Sequence, residues 1–144
     1  MSACTFFGHK NTPKIIQPLI ANTIKELITE HGVTTFYVGN QGGFDRLVYL
    51  TLKKLKKTYP KIKYYVVLAY LPTKNTNYEY IDFTDTVFPD CLTNVPPKFA
   101  IHRRNNYMIE KSDYVITYIK NNFGGASQFA EKAKRKNKTV INLA

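Results

Sequence analysis

A chain of 144 residues fits one domain and can bury a hydrophobic core, so we expect a single domain over residues 1–144. No apolar run is long enough to span a membrane and no signal peptide is visible, which excludes a membrane role and predicts a cytoplasmic protein. The two cysteines and three histidines have no metal-binding spacing, so we expect free thiols, no metal site and no cofactor.

The formal net charge of +11 favours an anionic partner: a nucleotide, nucleic acid or an acidic protein. Much of this charge lies in two lysine-rich segments, residues 53–57 with Lys61 and Lys63 beyond them, and residues 132–138. The favoured explanation of both segments is that they are solvated helix faces near helix C-termini, where lysine suits the helix dipole. Neither cluster interleaves aromatic residues with its lysines, as a platform for single-stranded nucleic acid would.

Apolar strand-like runs alternate with helical ones along the chain. Pro18 falls in the first turn of the first predicted helix, where proline is tolerated, and Gly32 marks the end of that helix. In chain order, the spacing predicts a strand at 3–7, a helix at 15–31, a strand at 34–38, a helix at 44–59, a strand at 62–70, a helix at 99–111, a strand at 114–119, a helix at 126–136 and a strand at 139–143.

Residues 71–97 form the least regular segment, which is too long for an ordinary connector. We interpret it as an excursion over the ligand edge, with room for a short strand or helical turn of its own. Its aromatic side chains either pack it against the domain or stack on a base, and packing is the favoured interpretation. These side chains are Tyr78, Tyr80, Phe83 and Phe88.

Strands alternating with helices predict an α/β fold with three layers and a parallel sheet of about five or more strands. In such sheets, ligands bind beyond the carboxyl ends of the strands. Loops that contain glycine follow three of the predicted strands, at Gly8, at residues 39–43 and at Gly124-Gly125. We therefore expect these loops to gather at one edge and to form a ligand site there.

The most informative stretch is residues 114–136, where a strand, a glycine turn and a helix follow one another. A helix start exposes unpaired N–H groups and the positive end of the dipole, and glycines there let a phosphate approach the backbone. A Gly-Gly pair alone is explained at least as well by a tight turn. The convergence of three glycine loops favours the phosphate interpretation.

This stretch resembles the SLOG superfamily of Rossmann-like domains. In the Lonely Guy phosphoribohydrolases of that superfamily, an arginine-lysine-x-x-methionine helix precedes a serine-aspartate pair, a strand and a Pro-Gly-Gly-x-Gly-Thr-x-x-Glu motif. This chain has Arg104 and Met108, then Ser112-Asp113, the strand, and residues 123–131. The overall likeness is closer to small, free-standing bacterial and phage-encoded SLOG proteins with a signature like Phe-Phe-Gly-His-Lys at residues 6–10.

The resemblance places Arg104 on the catalytic arginine of the enzymes and Glu131 on their catalytic glutamate. Phe123, Ser127 and Gln128 replace the proline, third glycine and threonine of the enzyme motif, which favours a binding module over an enzyme. The residues expected to bind the ligand are Gly8, His9, Lys10, Gly39, Asn40, Gly42, Gly43, Asp45, Arg104, Gly124, Gly125, Ala126, Ser127 and Gln128.

Three functions stay open. The favoured one is a sensor or signal-sequestering module for a nucleotide-derived ligand, either ADP-ribose-like or a cyclic nucleotide, in anti-phage signalling. The second is a phosphoribohydrolase that cleaves the N-glycosidic bond of nucleoside 5′-monophosphates with Arg104 and Glu131. The third is nucleic-acid binding, for which no helix-turn-helix or stacking motif is visible. The family resemblance also implies a homodimer or higher homo-oligomer, in a bacterial or phage-infected host cell.

Overall fold

The computed structural model describes residues 2–71, 83–121 and 123–144. In these ranges six strands form one parallel sheet in the order β4-β3-β2-β1-β5-β6. The strands are β1 (Ser2–Gly8), β2 (Val33–Val38), β3 (Lys63–Val67), β4 (Thr86–Val87), β5 (Tyr114–Tyr118) and β6 (Thr139–Asn142). The helices are α1 (Gln17–His31), α2 (Gly43–Thr58), α3 (Pro97–Lys111) and α4 (Gly125–Arg135).

Adjacent phenylalanines on the central strand show how the three layers form. Side chains of a strand alternate between its two faces. Phe6 packs into the core shared with α1 and α2, whereas Phe7 packs into the core on the other face and stacks on Phe129 of α4, with ring centroids 5.5 Å apart. The sheet therefore lies between the α1–α2 layer and the α3–α4 layer. This confirms the predicted three-layer α/β fold with a parallel sheet.

The connections out of two neighbouring strands diverge at the centre of the sheet. β1 pairs with β5, and the chain leaves β1 toward α1 on one face but leaves β5 toward α4 on the other. Such a switch point opens a crevice beyond the carboxyl ends of the two strands, where ligands of open α/β sheets bind. The topology thus places the candidate site at the ends of β1 and β5.

The first predicted helix differs from the observed one at its start. A 3-10 turn at Lys14–Ile16 precedes α1 and leaves Ile15 83% exposed, although its spacing had placed it on the apolar helix face. Pro18 lies in the first turn of α1, as predicted. Gly32 ends the helix in the left-handed conformation, with φ 65°, which glycine adopts without steric cost.

The third strand and the segment after it also differ from prediction. β3 ends at Val67 and not at residue 70, because the chain bends at residues 69 and 70; the Leu68 amide just before the bend donates to the carbonyl of Val87 in β4. The expected short strand and helical turn are present as β4 and the 3-10 turns on either side of it. Phe88 packs against the core, as the packing interpretation predicted, while the side chains of Tyr78, Tyr80 and Phe83 fall outside the described residues.

Within the described ranges, no helix combines the length and apolar character that a membrane crossing requires.

Candidate functional site

The start of α4 is an open helix N-terminus. Gly124 precedes it with φ 100° and ψ 173°, and no side chain of the described residues caps the helix. The Gln128 amide is the first to bond back, to the carbonyl of Gly124 at 3.2 Å. The amides of Gly125, Ala126 and Ser127 have no acceptor among the described residues, and a Cβ added to Gly124 or Gly125 would meet no atom within 4 Å. These donors and the helix dipole form a site suited to an anion.

The start of α2 is filled by the chain itself. The Gly43 amide donates to the carbonyl of Lys10 at 2.7 Å, and the Asp45 carboxylate in the first turn accepts the Gln41 amide at 2.9 Å. A Cβ on Gly43 would lie 2.6 Å from the Lys10 carbonyl oxygen. Gly42 is equally crowded by Lys10. The second glycine loop therefore serves close packing, and its Gln41 and Gly43 amides are already engaged.

The glycines of the first two loops have packing roles that the sequence does not reveal. A Cβ on Gly8 would lie 2.3 Å from the Phe44 ring, so glycine lets β1 pass this ring. A Cβ on Gly39 would lie 2.8 Å from Oδ2 of Asp45 and 3.0 Å from Nη1 of Arg104. Glycine at position 39 thus brings the carboxylate and the guanidinium close to the backbone and to each other.

Arg104 is the largest side chain buried at this edge, with only 2% of its surface exposed. Its Nε donates to Oδ1 of Asn105 at 2.7 Å, and its Nη1 donates to the carbonyl of Val67 at 3.0 Å and to Oδ1 of Asn40 at 3.4 Å. Nη2 makes no hydrogen bond with the described residues. Burial lowers the pKa of Arg104, and the Asp45 carboxylate opposes that change. Three hydrogen bonds thus hold the guanidinium through Nε and Nη1, and Nη2 stays a donor without an acceptor among the described residues.

Asp45 supplies the negative charge nearest to this guanidinium. Burial raises the pKa of Asp45 to about 6, although the charge of Arg104 and the Gln41 amide both favour the ionised form. Desolvation of the carboxylate outweighs these two stabilising interactions. The site therefore contains a fixed cation and a carboxylate that titrates close to neutral pH.

These groups meet at a small cleft of about 110 Å³. Its walls come from the ends of β1, the second glycine loop, α3 and the start of α4, and they include Gly8, Gln41, Asp45, Arg104, Asn105 and Gly125. Pockets for drug-sized ligands hold about 300–1,000 Å³. The cleft is therefore large enough for one group of a ligand, such as a phosphate, but not for a whole nucleotide.

A wider depression of about 430 Å³ lies next to the cleft. Gly8 lines the cleft and His9 lines the depression, so the two adjoin along the chain that leaves β1. The His9 amide donates to the Tyr118 carbonyl at 3.2 Å, and Nε2 of His9 accepts the Lys120 amide at 2.8 Å, which ties the two strand-end loops together. Lys10 and Lys120 give this depression a positive charge.

The predicted site residues fall into three groups. Cleft walls include Gly8, Asp45, Arg104, Gly125 and Ala126; the wider depression includes His9 and Lys10; and Gly39, Asn40, Gly42, Gly43, Gly124, Ser127 and Gln128 support or flank them. Glu131 lines neither: it is exposed on α4 and pairs with Lys134 at 3.3 Å. The acidic residue near Arg104 is Asp45.

Two residues at the cleft, Gln41 and Asn105, were not predicted. Asn105 stands where the enzyme pattern has a basic residue, and its amide oxygen anchors the Arg104 side chain. The Gln41 amide holds the Asp45 carboxylate. Both contacts are local in sequence, since Asn105 adjoins Arg104 and Gln41 precedes Asp45 by four residues. The sequence does not indicate them, because the side-chain directions that make them depend on the fold that brings Arg104 and Asp45 together.

The fold and the position of the cleft define a Rossmann-like α/β domain with a helix N-terminus beside a cleft at its switch point. A profile of the YspA SLOG family matches residues 2–143. The chain therefore belongs to the YspA SLOG family, and the predicted SLOG resemblance is confirmed.

Among solved structures, the chain is similar to DNA processing protein A (DprA) from Streptococcus pneumoniae, with a TM-score of 0.71 and 15% sequence identity. The alignment covers 99% of this chain and 50% of that structure, so the chain spans about half the length of its structural relative. At this identity the likeness supports the fold. A comparison with curated protein sequences finds no match.

Proposed function

We propose that this protein binds a nucleotide or nucleotide-derived ligand at the carboxyl edge of the sheet, as a sensor or signal-sequestering module. The observation that carries the proposal is the open N-terminus of α4, whose unpaired amides lie beside the cleft that Arg104 lines. Backbone donors and a helix dipole favour a phosphate. A nucleotide-derived ligand supplies that phosphate together with a body that extends beyond the cleft.

The cleft and the wider depression bind different parts of the ligand. The cleft receives one phosphate against the amides of Gly125 and Ala126, with the unused Nη2 of Arg104 as a charged donor. Charge-assisted hydrogen bonds of this kind are about twice as strong as neutral ones. The remainder of the ligand extends into the wider depression, where Lys10 and Lys120 suit a second anionic group. An ADP-ribose-like molecule or a cyclic dinucleotide has this distribution of charge.

The position of Glu131 favours a module over a phosphoribohydrolase. Cleavage of an N-glycosidic bond needs a carboxylate near the reacting carbon to stabilise positive charge in the transition state. Glu131 is solvent-exposed and paired with Lys134, outside both depressions. The carboxylate that does line the cleft, Asp45, is held by the Gln41 amide and lies near Arg104.

Nucleic acid is the alternative partner. DNA processing protein A is, by its name, a protein that acts on DNA, and this chain carries a net charge of +11. Binding to nucleic acid depends steeply on salt, with nearly one log unit of affinity lost per phosphate contact per decade of salt. A nucleotide bound in the cleft would respond to salt far more weakly, so salt dependence separates the two partners.

The test begins with the ligand. The purified protein is denatured, and any released small molecule is identified by mass spectrometry. Titration calorimetry then measures binding of ADP-ribose, cyclic nucleotides and nucleoside monophosphates, with short DNA strands tested at two salt concentrations. Gly125→Val places a branched side chain over the amides at the start of α4. A Cβ at this position meets no atom within 4 Å, so we expect the variant to fold but to lose ligand binding.

The control for Gly125→Val is Thr29→Val, which places the same side chain at an exposed position on α1, remote from the edge. It should bind as the unmodified protein does. Unchanged affinity of a folded Gly125→Val variant would refute the placement of the phosphate. Arg104→Ala is a poorer probe, because removing a buried cation next to a buried carboxylate destabilises the fold by about 3–5 kcal/mol.

A further inference from the structure

A groove of about 520 Å³ runs between α1 and α2 on the outer surface of their layer and begins at Lys14, next to Pro13 of the wider depression. Its floor includes Pro18, Ala21 and Leu55, and the hydrogen bond from Nε2 of Gln17 to Oγ1 of Thr51, 3.3 Å long, joins the two helices beneath it. A second depression of about 350 Å³ shares Gln17 and Lys54 with it, so the two form one continuous surface.

The charged side chains around the groove are lysines. Five lysines line the two depressions and no acidic residue does: Lys14, Lys25, Lys53, Lys54 and Lys57. Among the described residues, no carboxylate pairs with any of them. The lysines of α4 behave differently, since Lys134 pairs with Glu131, and Lys136 just beyond the helix pairs with Glu110. The cations along the groove are thus available to an external partner.

The same groove exposes apolar surface. Ile15 is 83% exposed at its edge, and the exposed Pro18 and the half-buried Ala21 line the groove beside it. These three residues form an apolar strip inside the basic rim, with the buried Leu55 beneath them. A partner that covers this strip removes apolar area from water, which is favourable in itself. The surface therefore combines an apolar centre with a charged rim, as protein interfaces do.

We propose that this groove binds an acidic amphipathic segment of a partner protein, with apolar side chains over the strip and carboxylates at the lysine rim. From Lys14 to Lys25 the groove extends over roughly 16 Å, at 1.5 Å per helical residue, which accommodates about three turns of a bound helix. Such a segment presents its apolar positions at i, i+3, i+4 and i+7. The proposal is independent of the ligand site at the sheet edge.

Two other occupants fit the observations less well. A second copy of the chain in a symmetric contact would set the same five lysines against each other, because a two-fold interface brings the same patch from both subunits together. Nucleic acid gains nothing from covering Ile15, and none of the described residues that line the groove is aromatic, as base stacking would require.

The proposal is tested by fluorescence anisotropy of the full chain with a labelled 18-residue helical peptide that has leucines on one face and glutamates on the other. Lys25→Glu combined with Lys54→Glu should weaken binding at least about tenfold, because two attractive contacts become repulsive. The matched control, Lys98→Glu with Lys111→Glu on α3, changes the net charge equally on the opposite layer and should alter affinity less than about threefold.

Two further arms test the apolar strip and the nature of the partner. Ile15→Asp should lower the affinity for the peptide. A scrambled peptide of equal charge should bind at least about fivefold more weakly than the amphipathic one. The inference is overturned if the peptide does not bind, if the control pair weakens it as much as the groove pair, or if the scrambled peptide binds equally well. It is also overturned if duplex DNA binds through Lys25 and Lys54 more tightly than the peptide does.

Discussion

Two helices of this domain, α2 and α4, begin at a glycine pair after a parallel strand, and their N-cap glycines have almost the same backbone conformation. Gly42 has φ 97° and ψ −176°, and Gly124 has φ 100° and ψ 173°. Neither helix has a side-chain cap at its N-cap residue. The surroundings differ completely: Lys10 lies within 2.9 Å of a Cβ added to Gly42, while nothing lies within 4 Å of one added to Gly124.

The difference shows that a glycine turn before a helix defines a possible anion site and that the neighbouring loop decides whether it is available. At α2, the carbonyl of Lys10 accepts the Gly43 amide, the carboxylate of Asp45 accepts the Gln41 amide, and the backbone of Lys10 lies against the glycine pair. Asp45 also adds a negative charge to the dipole of α2. At α4 the Gly125 amide has no acceptor among the described residues, and a Cβ added to Gly124 or Gly125 meets nothing within 4 Å. The two helix starts thus differ in access, since the neighbouring loop covers that of α2 and leaves that of α4 open.

The largest expected effect concerns the internal carboxylate at α2. Because burial raises the pKa of Asp45 from 3.8 to about 6, the folded state holds a proton that the unfolded state releases between these pH values. The contribution of Asp45 to stability is therefore most favourable below pH 4 and falls as pH rises to 6. At 1.36 kcal/mol per pKa unit, the total change is about 3 kcal/mol.

Asp45→Asn removes the titrating group and isolates this effect. Urea unfolding of both proteins between pH 3 and pH 7 should show the variant gaining about 3 kcal/mol relative to the unmodified protein as pH rises. Any pH-independent cost of the amide cancels in this comparison. A constant difference across the range would mean that Asp45 titrates at its ordinary pKa and is not desolvated at the start of α2.

The second prediction compares the same substitution at the two helix starts. Gly43→Ala places a Cβ 2.6 Å from the Lys10 carbonyl oxygen and should destabilise the fold by about 1–3 kcal/mol. Gly125→Ala meets no atom and should stabilise it by about 0.4–1 kcal/mol, because alanine restricts the unfolded chain. Thermal and urea unfolding measure both. Equal effects at the two positions would remove the distinction between a filled and an open helix start.

The layered fold was predictable because its signals are local. Apolar spacing located all four helices, and β-branched and aromatic runs located every strand except β4, whose two residues are too few to give a pattern of their own. Pro18 and Gly32 marked the first turn and the end of α1 through their restricted or permissive backbones. The order of elements then required a switch point, and with it a ligand edge at the ends of β1 and β5.

The chemistry at the edge was less predictable because it depends on distant contacts. Position 8 requires glycine because the Phe44 ring lies against it. The Arg104 guanidinium donates hydrogen bonds to Asn40 and Val67 and lies near the charge of Asp45, and these three residues belong to other elements. Sequence spacing could propose these residues but not their partners. It also could not show that Glu131 lies on the solvent side of α4, since the helix rotation depends on packing of Phe129 and Ala133 against the sheet.

The smallest expected effect is at Glu131, and it separates a binding module from an enzyme. Glu131→Gln removes one exposed pair with Lys134, three positions along α4, which is worth about 0.2–0.5 kcal/mol of stability. Since Glu131 lies outside both depressions, ligand affinity measured by calorimetry should change by less than about 0.5 kcal/mol. Chromatography after incubation with adenosine, guanosine and cytidine monophosphates should show no free base from either protein. Base release by the unmodified protein that disappears in Glu131→Gln would instead assign this residue the catalytic role of the family enzymes, with α4 reorienting when substrate binds.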